Sequence, residues 1–584
     1  VPPSTQPYLP TEAKTAADAP LWLVSPVLPG AAEEGTDDAD RRAGLRRFYV
    51  PVAHPDDAPA PLRAPGEPET RPEPVVEVAR TLALTVNGVT VPLPAYESLG
   101  RNAPRREWAP ADWPEWGPGV RDRLPRPVLP GAWAGFADLY DATWEMLFAR
   151  VRTPRPDSGL PDGYVSTGPG FPTLQFVWDS SFTAICLAYG HGAGVPVHGT
   201  LDLLYSRQFD GGYLHREHDV RDGMPTLYEP DFSPNPPILS VAEWHLASLT
   251  GDALRLRRVF RALADQHEWL RANRRLPDGT YWTTGLANGL DNSPSLGDGY
   301  PDLTAQMAHD AEVLSRIAAL TGDSAAAEAF DAHRAAIAEA LNARLWDGRQ
   351  EIYSTSLPGG GHNPNKVVTA FWPLWAGVVP PGRVQSLARH AMDPASFWRH
   401  HPLPSLAADS PEFVPGGDYW RGSVWAPTSY ASIKGFARAD RWDVARAATE
   451  RHLTVLHEVW RETGRLWENY SSEAPSRPGS TSQPDYCWTA LGPIALLLEV
   501  LLGFEPDALN DTLRWRLPAL PPDAGPVGVR NYPLGGGKVS VVRGRDGAIT
   551  VDSDRPLTLE VTPAAWSSAT AHRCPPGRTR IEPA

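Results

Sequence analysis

Two carboxylates in this chain are placed to do chemistry together. Asp291 lies in the segment GLDNSP (289–294) and Glu468 lies far downstream in WENY (467–470). Each has Asn and Gly or aromatic neighbours, in an alanine-rich background with helical periodicity. Carboxylates on two separate elements, surrounded by rings that stack on sugars, are the minimum equipment for hydrolysing a glycosidic bond. One must protonate the departing oxygen while the other acts as nucleophile or activates a water. As the acid, Asp291 needs a raised pKa, which partial burial or a second carboxylate supplies. Asn288 and Asn292 are placed to bind hydroxyls or orient the acid. DNSP is also good turn chemistry, so an Asx turn competes with this reading. Around Glu468, Trp467 and Tyr470 are candidates for a sugar-binding wall, and Glu473 is a rival base. A charged exit from a helix is the bland alternative.

Three further clusters carry the right residue types. In FVWDSSF (176–182), Trp178 offers a stacking face, Asp179 can chelate adjacent hydroxyls and Gln175 can assist, although an N-cap by Asp179 or Ser180 accounts for part of the pattern. In FDGGYLHREHDV (209–220), paired glycines are expected to expose Tyr213, His215, Arg216 and Glu217, with Arg216 and Glu217 holding one another. In DYWRGSVWAPTSY (418–430), Trp420, Arg421 and Trp425 read as a cationic, aromatic edge of a sugar site, against the alternative of Arg421 stacked on a ring.

Other chemistries lack their signatures. His215 and His218 stand three apart, but no H-E-x-x-H or similar set accompanies them, so neither a metal nor another cofactor is expected. The three cysteines, Cys186, Cys487 and Cys574, make neither a disulfide framework nor a zinc cluster. There is no G-x-x-x-x-G-K-S/T loop for nucleotides and no G-x-S-x-G elbow for acyl transfer. A net charge of −15 argues against nucleic acid as a partner. No apolar run is long enough to span a bilayer. No signal peptide is visible, yet the chain starts at Val1, so cytoplasmic and secreted locations both stay open. Twenty-two Trp residues, several beside Gly, Asp, Pro or Asn, suit a carbohydrate groove, although most rings in any protein belong to the core.

The elements that position these residues fall into three expected domains. Residues 1–125 read as a β-rich domain or cap, with strands at 21–27, 46–52 and 81–93 and a Pro-rich, charged exposed loop between the last two. Residues 126–503 carry repeated helical segments: 131–151, 181–189, 238–249, 252–273, 303–321, 324–345, 365–376, 381–392, 419–437, 441–463 and 487–501. Aromatic and Gly/Pro/Asp-rich loops separate them. That rhythm predicts a mainly α fold, an (α/α)6 toroid of six helical hairpins, with a generic helical solenoid as the alternative. TGD at 250–252 and 321–323 reads as a hairpin turn in each case. Residues 504–584 return to short alternating strands, a small C-terminal β-rich element.

In order and spacing, FVWDSSF, GGYLHRE, SPNPP, ANGLDNSP, DLTAQ, YWRGSVW and WENY resemble glycoside hydrolase family 63, over about residues 130–503. They look most like its bacterial branch of α-glucosidases and mannosylglycerate or glucosylglycerate hydrolases, and more distantly like the family 37 trehalases. The resemblance implies an inverting α-glycosidase without a covalent intermediate, with Asp291 as general acid and Glu468 as general base. It also implies that Trp178, Asp179, Trp420 and Arg421 line the sugar site. Two departures concern the acceptor side: LDNSPSLGDG lacks the Arg that many relatives carry after the Pro, and SSEAPSRPGSTSQPDYCW replaces the commoner turn after WENY. The expected partner is a short gluco- or manno-configured glycoside or oligosaccharide, attacked from its end. The oligomeric state is unreadable. Another six-hairpin carbohydrate enzyme (a trehalase, a glucoamylase-like hydrolase or a lyase) and a non-catalytic sugar-binding scaffold are the rival readings.

Overall fold

The computed structural model describes residues 113–583 except 155–162, 172–173, 209–211, 221–233, 284–287, 358, 522 and 564–567. Before residue 113 it describes five strands. Leu21–Pro26 pairs antiparallel with Leu45–Val50, and Val76–Val78, Ala83–Val86 and Val89–Pro92 form a three-stranded meander. The strands expected at 21–27, 46–52 and 81–93 fall there. The Pro-rich stretch between them lies outside the described residues.

The chain is mainly helical with some sheet. Its principal helices are α1 (Phe136–Ala149), α2 (Val177–Leu187), α3 (Val197–Tyr205), α4 (Leu239–Thr250), α5 (Ala253–Arg274), α6 (Pro301–Thr321), α7 (Ser324–Arg344), α8 (Pro381–Met392), α9 (Ala426–Arg438) and α10 (Trp442–Thr463). Residues 368–375 and 487–501 add short or irregular helical turns.

Two kinds of helix alternate along most of the sequence. Every residue of α2 and of 487–501 is buried, and α6 and α9 are buried nearly all round. By contrast α5, α7, α8 and α10 bury a single apolar stripe and turn charged residues outward. A helix that is apolar on all sides must sit inside, and one with a single apolar face covers it. The enclosed elements touch in a closed circuit: α2 packs on α4, α4 on α6, α6 on 368–375, that segment on α9, α9 on 487–501, and 487–501 on α2 again.

Both TGD segments are the turns expected of them. Gly251 and Gly322 take left-handed backbone (φ 74° and 86°) to end α4 and α6. Asp252 and Asp323 then accept the backbone N–H of Arg255 and Ala326 at 2.9 and 3.0 Å, capping α5 and α7. A buried ion cluster locks this corner. Arg255 donates to both oxygens of Glu243 at 2.7 and 2.6 Å and lies 2.9 Å from Asp202, tying α3, α4 and α5 together.

Three helical expectations need correction. The helix at Val197–Tyr205 is absent from the expected set; it is short and carries Gly199 near its start. The helix expected from residue 419 begins at Ala426 instead, because Pro427 fits only a first turn and Trp425 is extended. The preceding residues form loop and a two-residue strand, Val424–Trp425. Residues 365–376 likewise resolve into a 3₁₀ turn and a four-residue helix opening at Trp372-Pro373.

Beyond residue 503 the chain builds a four-stranded sheet, Phe504–Asp507, Thr512–Arg516, Leu557–Thr562 and Thr570–Cys574, in that order. A five-stranded sheet follows, and its edge strand is Arg126–Val128, paired with Val527–Leu534. Chain just past the expected 125/126 boundary is therefore shared with the C-terminal sheet. Tyr532 packs on Tyr189, and Arg446 donates to the carbonyls of Val500, Arg516 and Leu517, fastening sheet to helices. Among the described residues no helix is long and apolar enough to cross a membrane.

Candidate active site

Each candidate residue lies in a connection that leads into an enclosed helical element, or in the first turn of one. Asp179 is in the first turn of α2, Arg216 precedes α4, Asp291 precedes α6, Trp420 and Arg421 precede α9, and Glu468 precedes 487–501. These connections lie close enough for their charged groups to act on one another. Asp179 feels the charge of Asp291, Glu468 feels both Asp179 and Asp291, and Tyr419 feels all three.

Glu468 is held by its own backbone. Its N–H donates to the Gln483 carbonyl at 2.8 Å, its carbonyl accepts the Trp488 indole N–H at 2.9 Å, and the next two residues pair with Val424–Trp425. The residue is 2% exposed, and its Oε2 has no hydrogen-bond partner among the described residues. Burial, the neighbouring charge of Asp179 and, more weakly, that of Asp291 push its pKa up to about 8, against the backbone N–H of Gln483.

Asp179 is 7% exposed, and burial pushes its pKa up to about 7, with Asp291 adding to the rise. The Tyr486 hydroxyl, donating to Oδ1 at 2.5 Å, and the charge of Arg216 oppose that rise. The N-cap reading of Asp179 or Ser180 is not realised. Phe176 occupies the cap of α2, which leaves the Asp179 carboxylate for the site. Tyr419, at φ 55°, is kept a neutral phenol by burial and by the three carboxylates around it.

The Asp291 loop is fixed on two sides. Gly289, at φ 76°, lies against the indole of Trp178; a β-carbon there would stand 2.8 Å from two ring carbons. Only glycine permits both that backbone and that approach. On the other side Asn292 accepts the Trp420 N–H at 2.7 Å and donates to the Asp418 carbonyl at 3.2 Å, while its own carbonyl accepts from Arg421 at 3.3 Å. Asn292 therefore stitches the Asp291 loop to the WRG segment. Asn288, buried, donates to Asp302 at 3.1 Å and accepts the Leu290 N–H at 3.0 Å. Both asparagines, read as binding hydroxyls or orienting the acid, spend these bonds on shaping the loop that carries Asp291.

Other expected contacts are also redirected. Gln175 is fully buried and donates to the Val165 carbonyl and the Ser180 hydroxyl at 3.1 and 2.6 Å. Tyr213 packs on Trp269, and Gly212 lets the chain lie on the Asp265 backbone, with Tyr213, His215 and Glu217 buried rather than exposed. Arg216 and Glu217 do hold one another, at 3.4 Å. Trp467 and Tyr470, expected as a sugar wall, brace the Glu468 strand. The Tyr470 hydroxyl accepts the Trp467 N–H at 2.9 Å, and the Trp467 indole donates to Thr463 at the end of α10. Glu473 is held by Arg399 through two bonds of 2.7 and 2.9 Å. Trp420 and Trp425 stack face to face at 3.9 Å and both are buried.

Three residues absent from the sequence candidates belong here: Tyr486, Tyr419 and Trp488, whose ring sits edge-on to both Trp178 and Trp425. The signal available is the density of rings in DYW and DYCW, each opening an apolar stretch.

A mainly helical fold with carboxylates clustered among buried rings is in keeping with a glycoside hydrolase, the class that comparison with known proteins gives. Residues 173–489, more than half of the chain, match the family model of the mannosylglycerate hydrolase MGH1-like glycoside hydrolase domain. The chain belongs to that family. It is 28% identical over 177 residues to a mannosylglycerate hydrolase of Rubrobacter radiotolerans, covering 30% of this chain and 37% of that one. It is 26% identical over 227 residues to a probable mannosyl-oligosaccharide glucosidase of Schizosaccharomyces pombe, covering 35% and 28%. Both matches span well under half of those relatives. A solved mannosylglycerate hydrolase of glycoside hydrolase family 63 from Thermus thermophilus, in complex with glucose, shares the fold. Its TM-score is 0.50 at 21% identity, over 61% of this chain and 99% of that one.

Proposed function

We propose that the protein is an inverting, exo-acting hydrolase of a short α-linked gluco- or manno-configured glycoside, with Asp291 as general acid and Glu468 as general base. The observation that carries this reading is the convergence of Asp179, Asp291 and Glu468 on one another beside Trp178 and Tyr419. The closed circuit of enclosed helices, interleaved with helices that bury one face, supports an (α/α)6 toroid with these connections at one mouth.

Burial supports the division of roles. Asp291 is only half-buried, which suits a group that must reach a departing aglycone, whereas Glu468 is deep and has an unpartnered oxygen for one water. In turnover Asp291 gives its proton to the glycosidic oxygen. Glu468 takes a proton from water as that water attacks the anomeric carbon from the opposite face, so an α-glycoside yields a β sugar. The reaction needs a proton on Asp291 and none on Glu468. Sugar hydroxyls donating to Asp179, and the water donating to Glu468, stabilise that distribution. Asp179 and Arg216 hold the non-reducing sugar; the rings of Trp178, Tyr419 and Trp420 frame it.

The test is a panel of α-glucosides, α-mannosides, trehalose and glycosylglycerates, assayed for released sugar with wild type, Asp291→Asn and Glu468→Gln. Hydrolysis of one class, reduced at least ~100-fold in both variants, is expected from the usual contribution of general acid–base catalysis. Full activity in either variant would overturn the assignment of roles.

A further inference from the structure

Away from the carboxylate site, α5 and α7 bring His267, Glu268 and His333 together, with one donor atom of each within 4.8 Å of the others. The two imidazoles lie parallel, 8° apart in plane and 5.7 Å between centroids. His267 is fully buried, and its Nδ1 sits 2.8 Å from Oδ2 of Asp310, a carboxylate that also accepts from Ser240. When Nδ1 donates its N–H to that carboxylate, Nε2 is the ring nitrogen left to take a ligand. That Nε2 is buried with no hydrogen-bond partner among the described residues. Nδ1 of His333 also lacks one, its nearest acid being Glu268 Oε1 at 3.7 Å. Arg271 holds only Oε2 of Glu268, at 2.6–2.7 Å, which leaves Oε1 on the histidine side.

An imidazole oriented by a buried carboxylate, with another imidazole and a carboxylate grouped beside it, is the arrangement of a metal ligand with its outer support. We propose that His267, Glu268 and His333 bind one divalent transition ion of the zinc type, cross-linking α5 to α7. Two nitrogens and one oxygen suit zinc, with water completing a tetrahedron. Bonds of about 2.0–2.2 Å require donors closer than they now stand. The side chains of His333 and Glu268, 31% and 39% exposed, are free to close on the fixed His267. None of the three belongs to the catalytic site, so the ion acts on the scaffold.

The test uses untagged, chelator-stripped full-length protein titrated with Co²⁺ and read by visible absorption, followed by Zn²⁺ displacement and melting with and without Zn²⁺. Expected are one equivalent of four-coordinate Co²⁺, displaced by Zn²⁺, and a higher Tm with Zn²⁺. Binding weakens at least tenfold in His333→Ala and in Glu268→Gln, two part-exposed positions whose variants keep the metal-free Tm. Asp310→Asn weakens binding about 10–100-fold, as loss of an outer-shell carboxylate does. Absence of saturable binding to folded wild type, or equal affinity in His333→Ala and Glu268→Gln, would overturn the proposal.

Discussion

Replacing Glu468 by glutamine should abolish activity and yet stabilise the protein, and only on the alkaline side. The folded-state pKa of Glu468 is raised from 4.5 to about 8, chiefly by burial. Between those values the folded protein keeps a proton that the unfolded chain has released. Its contribution to stability is therefore fully present below about pH 4.5 and is lost as pH rises toward about 8. At about 1.36 kcal/mol per unit, the loss by about pH 8.5 amounts to roughly 5 kcal/mol. A glutamine of the same shape does not ionise, and its amide can donate to the carboxylates nearby. Because Asp179 shares the repulsion, we expect Glu468→Gln to be about 3–5 kcal/mol more stable than wild type near pH 8.5, and within about 1 kcal/mol of it near pH 4.5–5. An unfolding entropy of about 2.1 cal/mol/K per residue converts that gain to about 2–4 °C in Tm for a chain of this length. Paired melting curves at the two pH values read it directly. A difference in Tm that does not change with pH, or a variant that loses ground at the alkaline pH, would refute the reasoning.

The same charges set the pH–rate profile. The acid limb of kcat/KM should lie between about 7 and 8, since the base must be ionised, and Asp179→Asn should move that limb to lower pH by removing a negative neighbour. Gly289→Ala places a methyl against Trp178 on left-handed backbone; a loss of about 1–3 kcal/mol in stability and at least ~10-fold in kcat/KM is expected by denaturation and steady-state kinetics. Tyr486→Phe deletes the donor on Asp179, and a bond to a charged group worth about 1.5–3 kcal/mol translates into a ~10–100-fold fall in kcat/KM with little change in Tm. Arg255→Met strands Glu243 and Asp202 in the interior and should cost about 3–5 kcal/mol, measured by chemical denaturation, without altering the pH profile.

Where structure follows from neighbours in sequence, the chain can be read directly. The amphipathic pattern of α5, α7, α8 and α10 and the TGD turns show this, because periodicity and a Gly-Asp junction are local properties. GLDNSP, FVWDSSF and WENY are visible as carboxylates among rings. What each neighbouring polar group does is not visible. Asn288 and Asn292 look alike whether they bind a sugar or a backbone, and only the folded loop shows Asn292 joined to Trp420, a residue far away in sequence. Tyr486 reaches Asp179 across 307 positions, a pairing that local pattern cannot carry. The rings of Trp467 and Tyr470 read as a sugar-binding wall because aromatics beside an acid suit one. Their bonds to Thr463 and to one another turn them to bracing the base.

The most direct test of the central claim is the anomeric configuration of the first product, followed by proton NMR on whichever α-glycoside the panel shows to be hydrolysed. The account predicts that the β-anomer signal rises first and decays to the equilibrium mixture by mutarotation. An initial burst of the α-anomer would mean retention through a covalent intermediate, and would contradict the pairing of Asp291 as acid with Glu468 as the base for water.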